Sequence, residues 1–320
     1  MKKYTILLLA LSVCLTLSFA GGQKESGRAN LIMATGGTAG TYYPFGGAMA
    51  QIWNTHIERM NVTAQSTGAS KENIRLVGKG EAELAIVQND VMDYAFKGIE
   101  LFNGEKIDTF ATIATLYPEI VQIVVNPDSG INSVADMKGK SISVGDAGSG
   151  VEANAKQVLE AYGLTLDDLQ ARRLSFRESA SAFKDKQIDG FFVTAGIPNP
   201  AIQEIATLGK VKLLSIDPAA KQKLLDKYKF YTPYTIKKET YSGMTEDANT
   251  LAVKATLIVN KNLGNDIVYN LTKVLFEQQA ALAQAHAKGK ELSLQEAVKG
   301  VSVPFHPGAE KYYREKGVLK

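Results

Sequence analysis

Cysteine, histidine and tryptophan are scarce in this sequence of 320 residues: Cys14 is its only cysteine, there is one tryptophan, and there are three histidines. Cys14 sits inside an apolar run at the amino terminus. A chain that loses this run keeps no thiol, which excludes disulfides and a thiol nucleophile from it. His56, His286 and His306 are scattered, and neither an HExxH pattern, a G-x-S-x-G elbow nor a cluster of metal ligands occurs. No metal or other cofactor is expected. Basic blocks are also missing: lysines and acids alternate, and the formal net charge is only +3. Nucleic acid binding therefore has no electrostatic support. An enzyme could draw only on Asp90 and Glu119 as paired carboxylates, so a binding protein is the favoured reading and catalytic residues are not expected.

What is present begins with a leader. Lys2 and Lys3 precede an apolar stretch over residues 6–17, and Ser18-Phe19-Ala20 is a small-x-small site before Gly21. Residues 1–20 thus have the form of a secretory signal peptide, too short to span a bilayer. Cys14 is the alternative, as a lipid-attachment site, but Val13 before it is not the small residue such sites want. Residues 21–29 are small and polar and read as a flexible tether. Losing Lys2 and Lys3 with the leader leaves a net charge of +1. The expected location is the periplasm. The whole sequence, 45% hydrophobic and 22% charged, has the composition of a globular protein.

Strand-like and helix-like segments alternate, which predicts an α/β fold with mainly parallel sheets. Their order repeats. Residues 30–34 read as a strand entering the loop "TGGTAGT", and the next helix carries Ala48, Met49, Ile52 and Trp53 on one stripe. Trp53 reads as core. Strand 62–65, helix 71–77 and strand 84–87 follow, ending in "VQND". A second copy starts at "GKSISVGDAGSG": strand 141–144, the loop "GDAGSG", then a helix with Val151, Ala155, Val158, Leu159 and Tyr162 at helical spacing. Strand 173–176, helix 179–186 and strand 190–193 complete it, ending in "VTAG". Two βαβ-type lobes joined by a hinge are expected, with the ligand cleft at the carboxyl ends of the strands. Lobe I comprises residues 30–119 with 250–320, and lobe II residues 120–249. The crossings fall within residues 114–130 and near 249–260. A tail helix over residues 266–287, with Ile267, Leu271, Leu275 and Leu282 on its stripe, should pack back on lobe I.

The loops define the chemistry. "GGTAGTYYP" lacks the Lys-Ser/Thr ending of a phosphate-binding P-loop and the spacing of a dinucleotide fingerprint. Free N–H groups at a helix start still attract an anion, and glycine lets a ligand approach closely. Thr41 is a candidate N-cap with Pro44 in the first turn, and Gly148, Ser149 and Gly150 offer the same arrangement in the second copy. Two facing helix starts without a nearby lysine or arginine suit a small carboxylate; the competing reading is a pair of tight turns. Ser66, Thr67, Ser70, Gln88, Asn89 and Asp90 lie at the other strand ends of lobe I, and Thr194, Gly196 and Asn199 at those of lobe II. Gln88-Asn89-Asp90 reads equally as a helix-capping turn. Tyr42 and Tyr117 are either core or an apolar wall bearing a hydroxyl.

The segments "GGTAGTYYPFGGAMA", "LYPEIVQIVVNPDSGINSVADMKGKSISVGDAGSG", "DGFFVTAGIPNPAI" and "VPFHPGAEKYYRE" together resemble the TAXI proteins. These are the solute-binding components of a class of tripartite ATP-independent periplasmic (TRAP) transporters. The resemblance runs from about Asn30 to the end of the chain. It implies a type II periplasmic-binding-protein fold whose cleft closes on the ligand, and TRAP membrane subunits as the partner, driven by an ion gradient. The ligand implied is glutamate, glutamine or a related dicarboxylate or oxoacid. Ligand contacts carry over to Thr41, Tyr42, Ser70, Gln88, Asp90, Tyr117, Ser149 and Gly150, with Thr194 and Gly196 as further candidates. The other main TRAP branch holds its substrate carboxylate with an arginine, and no arginine falls at an expected cleft position here. An exported sensor subunit, or an enzyme on the same scaffold, is the alternative.

Overall fold

The computed structural model describes residues 28–207, 209 and 211–320. The leader, Cys14 and the tether through residue 27 lie outside them. Strands β1 (Ala29–Ala34), β2 (Met60–Gln65) and β3 (Leu84–Gln88) are parallel, and helices α1 (Tyr42–His56) and α2 (Ser70–Lys79) connect them. Helix α3 (Asn89–Lys97) starts directly at the end of β3. The chain then enters a 16-residue strand, β4 (Phe110–Val125). Beyond it, β5 (Ser141–Ser143), α4 (Gly150–Ala161), β6 (Gln170–Arg172), α5 (Phe176–Lys184) and β7 (Gly190–Ala195) repeat the first arrangement. Helix α6 (Pro200–Ala206), β8 (Lys212–Leu213), α7 (Pro218–Lys227) and β9 (Thr232–Ile236) precede the second long strand, β10 (Ala248–Asn260). Helices α8 (Asn265–Glu277), α9 (Gln279–Ala285), α10 (Leu294–Ala297) and α11 (Pro307–Glu315) close the described chain.

One sheet runs through the molecule in the order β2-β1-β3-β10-β4-β7-β5-β6, with β8 beside β4 and β9 beside β10. Each parallel triplet has its second strand outermost and its third against the antiparallel β4/β10 pair. Helices cover both faces, so inner strands read as unbroken apolar runs: every residue of β3 is buried.

The β4/β10 ladder divides the protein. Up to Tyr117 on β4, and from Ala255 on β10, apolar side chains join the clusters beneath α1, α2, α3, α8 and α11. From Ile120, and up to Val253, they join the clusters beneath α4 to α7. The ladder slips register between Lys254 and Thr256, and Pro118, which cannot donate to a ladder, stands opposite Lys254. Two lobes with separate cores therefore meet at a locally weakened pair of strands. Trp53 is fully buried, and its indole N–H donates to the Leu271 carbonyl at 2.9 Å, fastening α8 to α1 in the first lobe.

Two expectations need correction. The strand placed at residues 173–176 is β6, three residues earlier, and Phe176 instead opens α5. The single tail helix is two, α8 and α9, broken at Gln278 with φ −103° and ψ 20°.

Candidate functional site

A cavity of about 50 Å³ lies between the lobes, at the carboxyl ends of the parallel strands. It is lined by the starts of α1 (Thr41, Tyr42), α2 (Ala69, Ser70) and α4 (Ser149, Gly150), by Gln88 at the start of α3, by Glu119, and by Thr194 of β7. Room of this size holds a few water-sized groups, so the lobes stand closed around it. Contacts across the cleft agree: a side chain at Gly40 would touch the Phe176 ring, and Arg177 Nη2 donates to Thr38 Oγ1 at 3.4 Å.

Helix capping differs between the cavity and its surroundings. Ser175 and Asn199 cap α5 and α6 with their side chains. At the cavity only α4 is capped in this way, by Ser149, whose Oγ accepts the Glu152 N–H at 3.1 Å. The starts of α1, α2 and α3 have no side-chain cap, and Ala69 before α2 is held at φ +71°. A helix start leaves N–H groups that need an acceptor. At α3 the Val91 N–H is met by Asp90 Oδ1 at 2.9 Å; at α1 and α2 the need is directed at a cavity, where an anion gains from the dipole as well. Thr41, expected to cap α1, makes no side-chain cap bond and has helical dihedrals (φ −81°, ψ −31°).

Two buried side-chain atoms on the lining also have no partner: Gln88 Oε1 and Thr194 Oγ1. The Gln88 N–H donates to Ser70 Oγ at 3.1 Å, and its Nε2 donates to Asn154 Oδ1 of the other lobe, also at 3.1 Å. Among the described residues neither lysine nor arginine contributes to the lining, whereas Glu119 and Asp146 do. Glu119 Oε2 accepts the Tyr42 hydroxyl at 2.6 Å. Burial pushes the Glu119 carboxyl up to about 8, against the lowering effects of the Tyr42 hydrogen bond and the Lys288 charge. Burial also raises Asp146.

Residues 33–317 match the NMT1-like family. The chain belongs to the NMT1-like family. It is 27% identical over 222 residues to the arginine-binding extracellular protein ArtP of Bacillus subtilis (strain 168), a match spanning 60% of this chain and 76% of ArtP. The periplasmic aliphatic sulphonate binding protein SsuA of Escherichia coli superposes with a TM-score of 0.50 at 15% identity, covering 89% of this chain and 82% of SsuA. A protein of Bordetella bronchiseptica RB50 superposes with a TM-score of 0.54 at 15% identity, covering 91% and 90%. This NMT1-like chain therefore has the two-lobed type II periplasmic-binding-protein fold and is a solute-binding protein. Among the described residues no helix is long and apolar enough to cross a membrane.

Seven of the ten residues expected to contact ligand line the cavity: Thr41, Tyr42, Ser70, Gln88, Ser149, Gly150 and Thr194. Asp90, Tyr117 and Gly196 do not. Asp90 lies behind Gln88 and accepts from Asn154 Nδ2 at 2.9 Å, with burial raising it to about 6. Tyr117 packs edge-on to Phe45, with Lys288 Nζ 5.6 Å from its ring centre and its hydroxyl unpartnered. Gly196 lets Lys288 and Thr41 approach the second lobe's backbone. Glu119, which the sequence offers only as a catalytic carboxylate, and Phe176, expected in a strand, are both lining residues. The signal for Glu119 was available, because a lone acid inside "LYPEIVQIVV" is an anomaly in a buried strand.

Proposed function

We propose that this protein is an exported receptor that captures a small carboxylate by lobe closure and delivers it to an ion-gradient-driven TRAP membrane transporter. Glutamate, glutamine or a related dicarboxylate or oxoacid is the ligand in this reading. Residues 1–20 serve as the export signal, residues 30–119 with 250–320 form lobe I, and residues 120–249 form lobe II. The ten residues named above form the site, with Asp90, Tyr117 and Gly196 as its support. The reading is carried by two helix starts without side-chain caps, those of α1 and α2, that face a cavity lined, among the described residues, by no lysine or arginine. Each contributes roughly 0.3–1 kcal/mol to a bound anion when exposed, and up to about 2 kcal/mol when partly buried.

The test is titration calorimetry and melting of refolded, ligand-stripped protein against glutamate, glutamine, dicarboxylates, oxoacids and arginine, the amino acid that names the Bacillus relative. A true ligand at about a hundred times its dissociation constant adds roughly 2.7 kcal/mol of stability and is recovered unchanged. Thr41→Ala, which removes a hydroxyl that caps nothing, should weaken that binding by roughly 1–3 kcal/mol. Should no acid stabilise the protein, the carboxylate reading fails. Uptake into vesicles that contain the membrane subunits should follow an imposed ion gradient; a requirement for ATP instead would assign the receptor to an ATP-driven importer.

A further inference from the structure

The cavity has a polarity that an anion alone does not use. Its helix starts favour negative charge, yet its only charged side chains, Glu119 and Asp146, are acids. Glu119 is 2% exposed and sits at the point where β4 passes from one lobe to the other. Its Oε2 accepts the Tyr42 hydroxyl, and among the described residues the carboxyl accepts no other hydrogen bond. The groups that face it come from four elements. Tyr42 on α1 and Tyr117 on its own strand are neutral phenols, and Asp90 on α3 repels its charge. Lys288, in the 3-10 turn Ala287–Glu291, attracts it, but the Lys288 ammonium is itself paired with Glu291 at 2.6 Å. A buried carboxylate without a cationic partner is costly, and among the described residues no lysine or arginine lines the cavity.

We infer that Glu119 is the subsite for a positively charged group of the ligand, so that the cleft selects an amino acid over the plain acid of the same skeleton. This rests on the carboxylate-receptor reading and adds a second point of attachment to it. The ligand carboxylate takes the uncapped helix starts, while its ammonium displaces the proton from Glu119 and pairs with the carboxylate left behind. Tyr42 joins the two subsites, since its backbone opens α1 and its hydroxyl fixes Glu119. The rival arrangement keeps the proton on Glu119, which then donates a hydrogen bond to a second ligand carboxyl.

The experiment compares the common amino acids with their des-amino counterparts, such as glutarate for glutamate and succinate for aspartate, by calorimetry on the full chain. In the unmodified protein the best amino acid should bind about tenfold or more tightly than its des-amino partner, a gap of about 1.4 kcal/mol. At neutral pH it should also release close to one proton, read from buffers of different ionisation enthalpy. Glu119→Gln keeps the shape and the Tyr42 contact but not the charge, and should close the gap and abolish proton release. Glu119→Asp, which keeps the charge, should restore part of the preference. Des-amino acids binding as tightly as amino acids, with Glu119→Gln neutral toward both, would overturn the inference while the carboxylate reading stands. If no acid of either kind binds, the carboxylate reading fails and the inference falls with it. The comparison in unmodified protein decides the question even if a variant folds poorly.

Discussion

Gly150 stands where the two lobes touch. In the sequence it is one of three small residues in "GDAGSG" that would let a ligand approach a helix start. In the structure a side chain there would overlap Gln88 Oε1, so the close approach is made by the opposite lobe. Gly150→Ala must push the Gln88 amide aside and break its hydrogen bond to Asn154. We expect this variant to lose about tenfold or more in affinity for whichever acid binds the parent, with a melting temperature close to that of the ligand-free parent. Scattering should show the lobes further apart. Unchanged affinity would mean that Gln88 is dispensable for closure. Single-residue chemistry was legible where it broke a pattern, as with glycines at a strand end. Glu119 broke a pattern too, as the one charged residue of its strand, but its role required knowing that β4 runs past the cavity.

Elements were legible where burial is complete and much less so at the edge. The fully buried strands β3 and β7 read as apolar runs ending in polar or glycine turns, whereas the partly buried β1 and β5 are legible because each leads into a glycine-rich loop. Edge strand β6 is three residues long with two of them exposed. The apolar residues that suggested a strand, Leu174 and Phe176, belong to the following loop and to the first turn of α5. The break at Gln278 left no trace because Leu271, Leu275 and Leu282 keep helical spacing across it, and all three are buried. Sequence spacing also could not reveal the polar bridge between α3 and α4. Asn154, fully buried on α4, donates to Asp90 and to the Tyr231 hydroxyl, both at 2.9 Å, and accepts from Gln88. Tyr231 in turn donates to Gln157, which donates to Tyr94 of the first lobe. Replacing Asn154 by alanine leaves several buried groups without partners at once, at roughly 1–3 kcal/mol for each one that water cannot reach. The expected result is weaker ligand binding and lower thermal stability together. A loss of stability with affinity intact would show that the network supports one lobe rather than the closed pair.

For the whole molecule, two buried carboxyls set the dependence of stability on pH. Burial raises Glu119 from 4.5 to about 8 and Asp90 from 3.8 to about 6, so the folded protein holds both protons more tightly than the unfolded chain does. Their contribution is complete below the unfolded values and is lost as pH rises, through about 6 for Asp90 and about 8 for Glu119. His286 and His306 act in the opposite sense: burial lowers both, so their contribution is present above 6.5 and is lost in acid. Between pH 7 and 9, taken as about one unit either side of the Glu119 value, the histidines and Asp90 have finished titrating and Glu119 has not. The ligand-free protein should therefore melt at progressively lower temperature across this interval, with a slope no steeper than about 1.4 kcal/mol per pH unit for one proton. Glu119→Gln, which has no proton to lose, should flatten the curve over the same interval while leaving its acid limb in place. A saturating ligand with an ammonium group should reverse the trend, because it binds the deprotonated form and gains as the competing proton is removed. Calorimetric melting of the parent and the variant, each with and without ligand, separates these cases. Parallel curves for the two ligand-free proteins would mean that Glu119 already carries its charge before ligand binds.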